Sequence, residues 1–265
     1  MRVATVAALA LAVAPAACES SMHEPPPVKT LAPGTGHGRS ADELLRAGDA
    51  AWARRAEPGQ ALAAQNAYLD AAAADERRVV GLVGAMRAMH YRIEHERGVS
   101  KGDLSQKAVQ VGQWCMRRAP ADATCKYRLA IALGQEAREH PAQGKDAVNH
   151  MVELLHQAIA TQPRLDDAGP HRVLALVLVR APAWPAGPGD PEAGLDEAKA
   201  AVAAVPDAPE NQLALAEALA ANGSVGEAHA AYQKAAALAA AAREPEAAGW
   251  LADARSGLAK TNESH

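Results

Sequence analysis

The sequence predicts an all-α protein, a stack of helix pairs rather than one globular core. Three observations carry that prediction. Alanine dominates, aromatics make up 3% of the 265 residues and Phe is absent. Alanine is the best helix former, because its side chain loses no rotamer freedom and hides no polar group. The β-branched and aromatic residues that favour strands are sparse. Finally, Pro120, Pro163 and Pro206 each close a helical segment (MRRAP, ATQP, AAVP) and stand 43 residues apart, a period in the range of repeated helix pairs. Small side chains bury little area per contact, so stability is expected from many short contacts summed along a stack.

Met1–Cys18 reads as an export signal. Arg2 gives a short positive start, Val3–Val13 is uncharged and too short to span a bilayer, and Pro15-Ala16-Ala17 places small residues before Cys18. That ending resembles a bacterial lipobox, whose Cys becomes the lipidated first residue, although Pro15 stands where an aliphatic residue is usual. It implies a lipid-anchored protein facing the periplasm. Ordinary cleavage beside the same alanines, with a soluble periplasmic product, is the alternative. Glu19–Arg39 contains Pro25-Pro26-Pro27, Pro33-Gly34 and Gly36-His37-Gly38, the composition of a flexible tether.

Residues 40–265 form the predicted helical domain. Ser40-Ala41-Asp42-Glu43 is a capping box that opens a helix over 41–57. The next is 59–75, with Gly59, Ala64, Tyr68 and Ala71 at helical spacing. Helices follow at 77–97, 102–119, 123–139 and 145–161. Cys115 and Cys125 lie ten positions apart across Ala119-Pro120. An oxidising compartment favours a disulfide between them; two buried free thiols are the alternative. Val173–Val179 (VLALVLV) has the composition of a buried strand, but the repeat frame around it and the lack of a partner strand make it part of a helix over 170–181. Asp190-Pro191-Glu192 starts the helix 191–205: Asp as N-cap, Pro at the first position, an acid in the first turn. In 209–221, Leu213, Leu215, Ala216 and Leu219 share a face. Gly223 marks a turn, Ser224 and Glu227 read as a second capping box, and Ala228, Tyr232 and Ala235 follow within 224–241. A last helix, 245–260, completes five pairs and a terminal cap for the stack's apolar end. These units resemble the tetratricopeptide repeat, a 34-residue helix pair with small residues at the helix crossing and a large one beside them. That resemblance implies a right-handed solenoid.

The chemistry expected elsewhere is absent from the pattern. Formal net charge is −4 without a Lys/Arg-rich stripe, which excludes the clustered cations that nucleic acid needs. There is no Walker motif, no GxGxxG after a strand, and Ser256-Gly257 is no nucleophile elbow. His150, Glu153 and His156 spread over about 120° of helix rather than sharing a face. His90 and Glu94 do share one, but two ligands do not make a metal site. Asp166-Asp167 reads as a helix start rather than an acid–base pair. Neither an enzyme, a metal nor a cofactor is expected.

One stretch exceeds what a repeat scaffold needs: Asp167–Pro191, DAGPHRVLALVLVRAPAWPAGPGDP. The 43-residue spacing overruns the 34-residue repeat, and the excess falls at Ala181–Asp190 and Glu139–Lys145. Such insertions gather on one face of a solenoid, often the binding face. Trp184, between Pro182 and Pro185, either covers the loop's underside or presents a flat apolar surface. Gly187 and Gly189 would supply backbone freedom for a tight loop. Arg172 and Arg180 lie within about 80° of each other on a helix. They either pair with carboxylates such as Asp166 or Asp167, or receive a carboxylate-bearing solute.

Leu165–Leu219, with its AGP…RAPxWPxGPGDP pattern, together with Tyr127–Gln162, resembles the T component (TatT type) associated with tripartite TRAP transporters. The resemblance covers residues 105–222 well and the N-terminal third loosely. It implies a periplasmic tetratricopeptide-repeat lipoprotein, lipidated at Cys18, that partners a periplasmic solute-binding protein. It also implies a central groove or pore, homo-oligomers, and a role with small or hydrophobic organic solutes. The high Ala content and lack of Phe depart from that pattern and speak against a large aromatic-lined pocket. Arg172, Arg180, Trp184, Tyr127 and Asp190 are the candidate ligand- or partner-binding residues. The alternative is a general envelope scaffold that assembles proteins without a ligand.

Overall fold

A computed structural model describes residues 22–36 and 38–262. Met1–Cys18, and with it the expected lipidation of Cys18, lies outside the described residues. The chain forms α1 (Val28–Leu31), α2 (Ala41–Trp52), α3 (Gln60–Ala74), α4 (Val80–His95), α5 (Lys101–Arg118), α6 (Ala123–Glu139), α7 (Gly144–Thr161), α8 (Leu165–Arg180), α9 (Pro191–Ala204), α10 (Pro209–Ala221), α11 (Val225–Ala241) and α12 (Ala247–Asn262). A short 3₁₀ turn, Pro141–Gln143, precedes α7. Among the described residues the fold is all-α, and VLALVLV is helical within α8.

Consecutive helices pack as five antiparallel pairs, α2/α3 through α10/α11, with α12 over the last. The even-numbered helices also touch their own kind in succession, α2 to α4 and on to α12, whereas from α3 onward no odd-numbered helix touches the next but one. In a curved stack the set that meets its own kind lies on the inside. The even helices therefore line the inner face and the odd helices the outer one.

Glycines let the helices of the early pairs close on a tyrosine. Tyr68 of α3 is fully buried between Gly48 of α2 and Gly84 of α4, where an added Cβ would meet its ring at 2.6 and 2.7 Å. Gly257 of α12 gives Tyr232 of α11 the same kind of seat, at 2.3 Å. Tyr68 and Tyr232 are large residues that the repeat resemblance named, while the glycines that seat them, Gly48, Gly84 and Gly257, are not among the small residues it named. One continuous apolar core runs from Val28 to Leu178. Beyond it are only two small clusters among the described residues, Ala216, Leu219, Ala228 and Ala231, and Ala175, Ala198 and Ala218. The apolar packing of the C-terminal pairs is thus made of small alanine-rich clusters, with Leu195, Leu215 and Tyr232 packed against them.

Four expectations change. The first helix ends at Trp52, not 57, because Arg54, Glu57 and Gln60 take up turn hydrogen bonds and Pro58 cannot continue it. The stretch read as a flexible tether is, in its described part, a strap. Val28 and Leu31 are buried, α1 packs on the outer helices α3 and α5, Trp114 Nε1 donates to Pro26 O at 2.7 Å, and Asp70 receives Gly34 N and Thr35 Oγ1 at 2.9 Å each. Ser40 caps α2 in a full capping box, but Ser224 makes no side-chain cap. Gly223 closes α10 with φ 78° and aims Ser224 N at Leu219 O, so the preceding turn, not the next helix, fixes Ser224. Finally, α8 opens on a left-handed turn.

Candidate partner-binding site

The insertion loop between α8 and α9 is tightly closed on itself. Gly189 N donates to Pro182 O at 2.9 Å, Ala186 N to Ala183 O at 3.0 Å, and Asp190 N reaches back to Leu178 O at 2.9 Å. A Cβ on Gly187 or Gly189 would meet the carbonyl oxygens of Pro182 or Ala181 at 2.7 and 2.1 Å. Neither glycine has a positive φ; space, rather than the expected backbone freedom, excludes larger residues. Lys145 Nζ donates to Pro185 O at 2.9 Å, which ties the other insertion, 139–145, to this loop. The two insertions therefore meet on one edge of the stack. At the tip, Trp184 is 86% exposed. It does not cover the underside of its loop; it presents its indole outward on a braced hoop.

The other four candidates are engaged by the chain itself. Asp190 accepts Ala193 N at 3.1 Å as the N-cap of α9. Arg180 forms a two-pronged pair with Glu217 of α10, both contacts at 2.6 Å. Its partner is thus neither Asp166 nor Asp167. Arg172 donates to the backbone oxygen of Asp167 at 3.2 Å and to Asn211 Oδ1 at 2.9 Å. Tyr127 is buried and donates to Asp166 Oδ2 at 2.9 Å; burial pushes its phenol well above the ordinary range.

Sequence reasoning missed the turn that gathers these residues. Asp166, Asp167 and Ala168 have φ of 51°, 54° and 62°, three successive non-glycine residues in the left-handed region. Asp166 is held by Tyr127 and by Arg128, 3.3 Å away. Burial alone would raise its carboxyl, but Arg128, the Tyr127 hydroxyl and Arg172 together hold it below the usual range. Buried Asn211 donates to Asp167 O at 3.0 Å and to Ala201 O and Val205 O at the end of α9. Gly169 leaves room for the Tyr127 hydroxyl, which a Cβ would meet at 2.3 Å. Pro170 then falls in the first regular turn, where its missing N–H costs nothing. No local sequence signal marks the turn, because its support comes from other helices. The Asp166-Asp167 pair does precede the regular helix, but the Asp166 carboxylate and the Asp167 backbone oxygen brace the stack instead of capping.

Among the described residues no group of three or more His, Cys, Asp or Glu could hold a metal ion, and no helix is long and apolar enough to cross a membrane. Cys115 and Cys125 are joined as a disulfide across the α5–α6 turn, with Cα atoms 5.4 Å apart.

No family model matches the chain, and no curated protein matches it in sequence. Among solved structures it is similar to TTC0263, a thermophilic TPR protein of Thermus thermophilus. The TM-score is 0.61 and the identity 23%, over 81% of this chain and 98% of that one. The structure of the MamA protein aligns at a TM-score of 0.48 and 18% identity, over 75% of this chain and 91% of that one. The first likeness shows the fold, a tetratricopeptide-like solenoid.

Proposed function

We propose that this protein is a non-catalytic recognition scaffold whose braced Trp184 loop docks a partner protein. The observation that carries the reading is Trp184 itself. A large aromatic, 86% exposed, stands on a loop fixed by its own hydrogen bonds and by Lys145. An isolated indole held in water gains nothing in the free fold. Trp is the residue most enriched at interface hot spots, and pre-ordering its loop lowers the entropy cost of docking.

The finer proposal is that the scaffold is held in the bacterial envelope through Cys18 and that its partner is the periplasmic solute-binding protein of a TRAP-type uptake system. The AGP…RAPxWPxGPGDP resemblance supports that identity. A general envelope scaffold without a solute is the second reading. It is favoured by the engagement of Arg172, Arg180, Tyr127 and Asp190 in intramolecular bonds, which leaves no free cation among the named candidates for a solute.

A photo-crosslinking residue placed at 184, compared with one at Val80, tests the docking. Val80 is also an exposed apolar position, at 53%. Adducts to one protein from 184 but not from 80 support docking at the loop, and a solute-binding protein in that adduct supports the finer reading. Equal labelling from both sites would sink it.

A further inference from the structure

A second feature joins residues 191 apart in sequence. Arg55, just beyond α2, donates through Nε and Nη2 to both carboxylate oxygens of Glu246 at 2.8 Å each. Glu246 lies in the short link into α12. Both side chains are largely shielded, at 14% and 19% exposed. The Arg55 guanidinium lies 4.7 Å from the Trp52 ring centre and 5.8 Å from that of Tyr91, and those two rings meet edge to face at 5.7 Å. The first pair and the last helix are thereby brought together.

We propose that Arg55 on its Trp52–Tyr91 wall is a carboxylate-binding site that the chain fills with its own Glu246, and that an incoming carboxylate displaces Glu246 and releases α12 from the first pair. Three observations support this. The fork is built from the N-terminal side alone: Trp52 and Tyr91 flank the guanidinium, so it keeps its place for two-pronged carboxylate contact when Glu246 leaves. The contact joins the ends through side chains only. No helix of the last pair, nor α12, packs against α2, α3 or α4, so release breaks an ion pair rather than a core. And an open hollow of about 270 Å³ borders Arg55, lined also by Glu57, Leu62, Tyr91, His95, Glu96 and Arg97. The acids nearby are already placed. Glu96 pairs with Arg92 at 2.7 Å and Glu57 with Arg54 at 3.9 Å, while Arg97 has no ion pair among the described residues. Glu244 sits close enough to act on Arg55 and is the other acid of the link; His95 adds a further titratable group beside Glu246. The ligand group is a carboxylate, from either a free organic acid or an acidic peptide segment.

The test follows hydrogen exchange of the first turn of α12 and the solution radius of gyration of the full chain. Glu246→Gln should speed exchange there by roughly tenfold, as expected when a local closure is lost, and should enlarge the radius. Glu244→Gln should change neither. Sodium glutarate should move the wild type toward the Glu246→Gln state at an ionic strength where sodium chloride does not. A glutamate-rich peptide acting at lower concentration than glutarate would assign the natural source to a protein, and the reverse order to a small acid. Arg55→Ala should be open and deaf to glutarate; should that variant not fold, Arg55→Lys keeps the charge without the fork and should respond weakly. Wild-type exchange in Glu246→Gln removes the latch. Equal effects of glutarate and chloride, or an undiminished glutarate effect in the Arg55 variants, remove the carboxylate site.

Discussion

Asp166, Asp167 and Ala168 stand in a conformation that costs an L-residue roughly 1–2 kcal/mol each, so the surroundings must impose it. Tyr127, Arg128, Asn211 and Arg172 do so from three helices. Tyr127→Phe keeps the ring and deletes the bond to Asp166; it should lose about 1–2 kcal/mol in urea unfolding. Gly169→Ala should lose more, since its Cβ would sit 2.3 Å from the Tyr127 hydroxyl, whereas Gly226→Ala, which meets open space, should be neutral or stabilising. An unchanged Gly169→Ala variant would mean the turn is not packed this way. His90 adds a pH dependence. Its Nδ1 lies 2.8 Å from Gln135 Nε2, and burial pushes its imidazole down from 6.5 to about 4. The unfolded chain therefore takes up a proton near 6.5 that the folded one refuses until about 4. Stability from this group is full above pH 6.5 and declines as pH falls to about 4. His90→Gln should flatten that part of the stability–pH curve; an identical slope would contradict the assignment. At this scale the sequence was least legible. Ser and Asp patterns name local caps, but a left-handed run without glycine is written only in contacts between helices.

Helices were the most legible level, because alanine content, prolines and capping residues act within a few positions. α6 and α10 have the bounds expected from sequence, and most other ends shift by three residues or fewer. The failures have local causes too. Ser40 and Ser224 both begin an S-x-x-E pattern, yet only Ser40 receives Glu43 N, at 3.3 Å, and returns the bond through Glu43 Oε2 at 2.8 Å. Ser40→Ala should cost about 1 kcal/mol and Ser224→Ala almost nothing. Comparable melting-temperature losses would show that Ser224 caps α11 after all. The disulfide belongs at this scale because it ties two consecutive helices. Cys115→Ser and Cys125→Ser should each lose about 2–3 kcal/mol of stability under oxidising conditions, the value for closing a loop this short. A reductant should lower the melting temperature of the wild type and leave both variants alone. If the variants melt as the wild type does, the bridge contributes nothing.

At the scale of the whole molecule, the order of five pairs and a cap could be read from the succession of helical segments, with the 43-residue proline spacing marking the repeat, because each unit repeats one packing problem. The joining of Arg55 to Glu246 could not, since no periodic pattern relates residues 191 apart. Nor could the strap at 22–36, whose Pro and Gly content describes a chain without its partner surface; Trp114 and Asp70 supply that surface. The site was half legible. Proline, glycine and tryptophan at 182–189 marked a built loop, while its neighbours Arg172, Arg180, Tyr127 and Asp190 carried chemistry that the fold uses for itself. Those four hold the inner helices and the loop base, and Trp184 is the group turned outward.

The measurement that tests this division most directly is the affinity of Trp184→Ala for the protein captured at position 184, with the melting temperature recorded alongside. Docking through the braced indole predicts a loss of about 2 kcal/mol or more, roughly 30-fold in Kd, with an unchanged melting temperature. Wild-type affinity in Trp184→Ala would contradict the account and move recognition to another face of the solenoid.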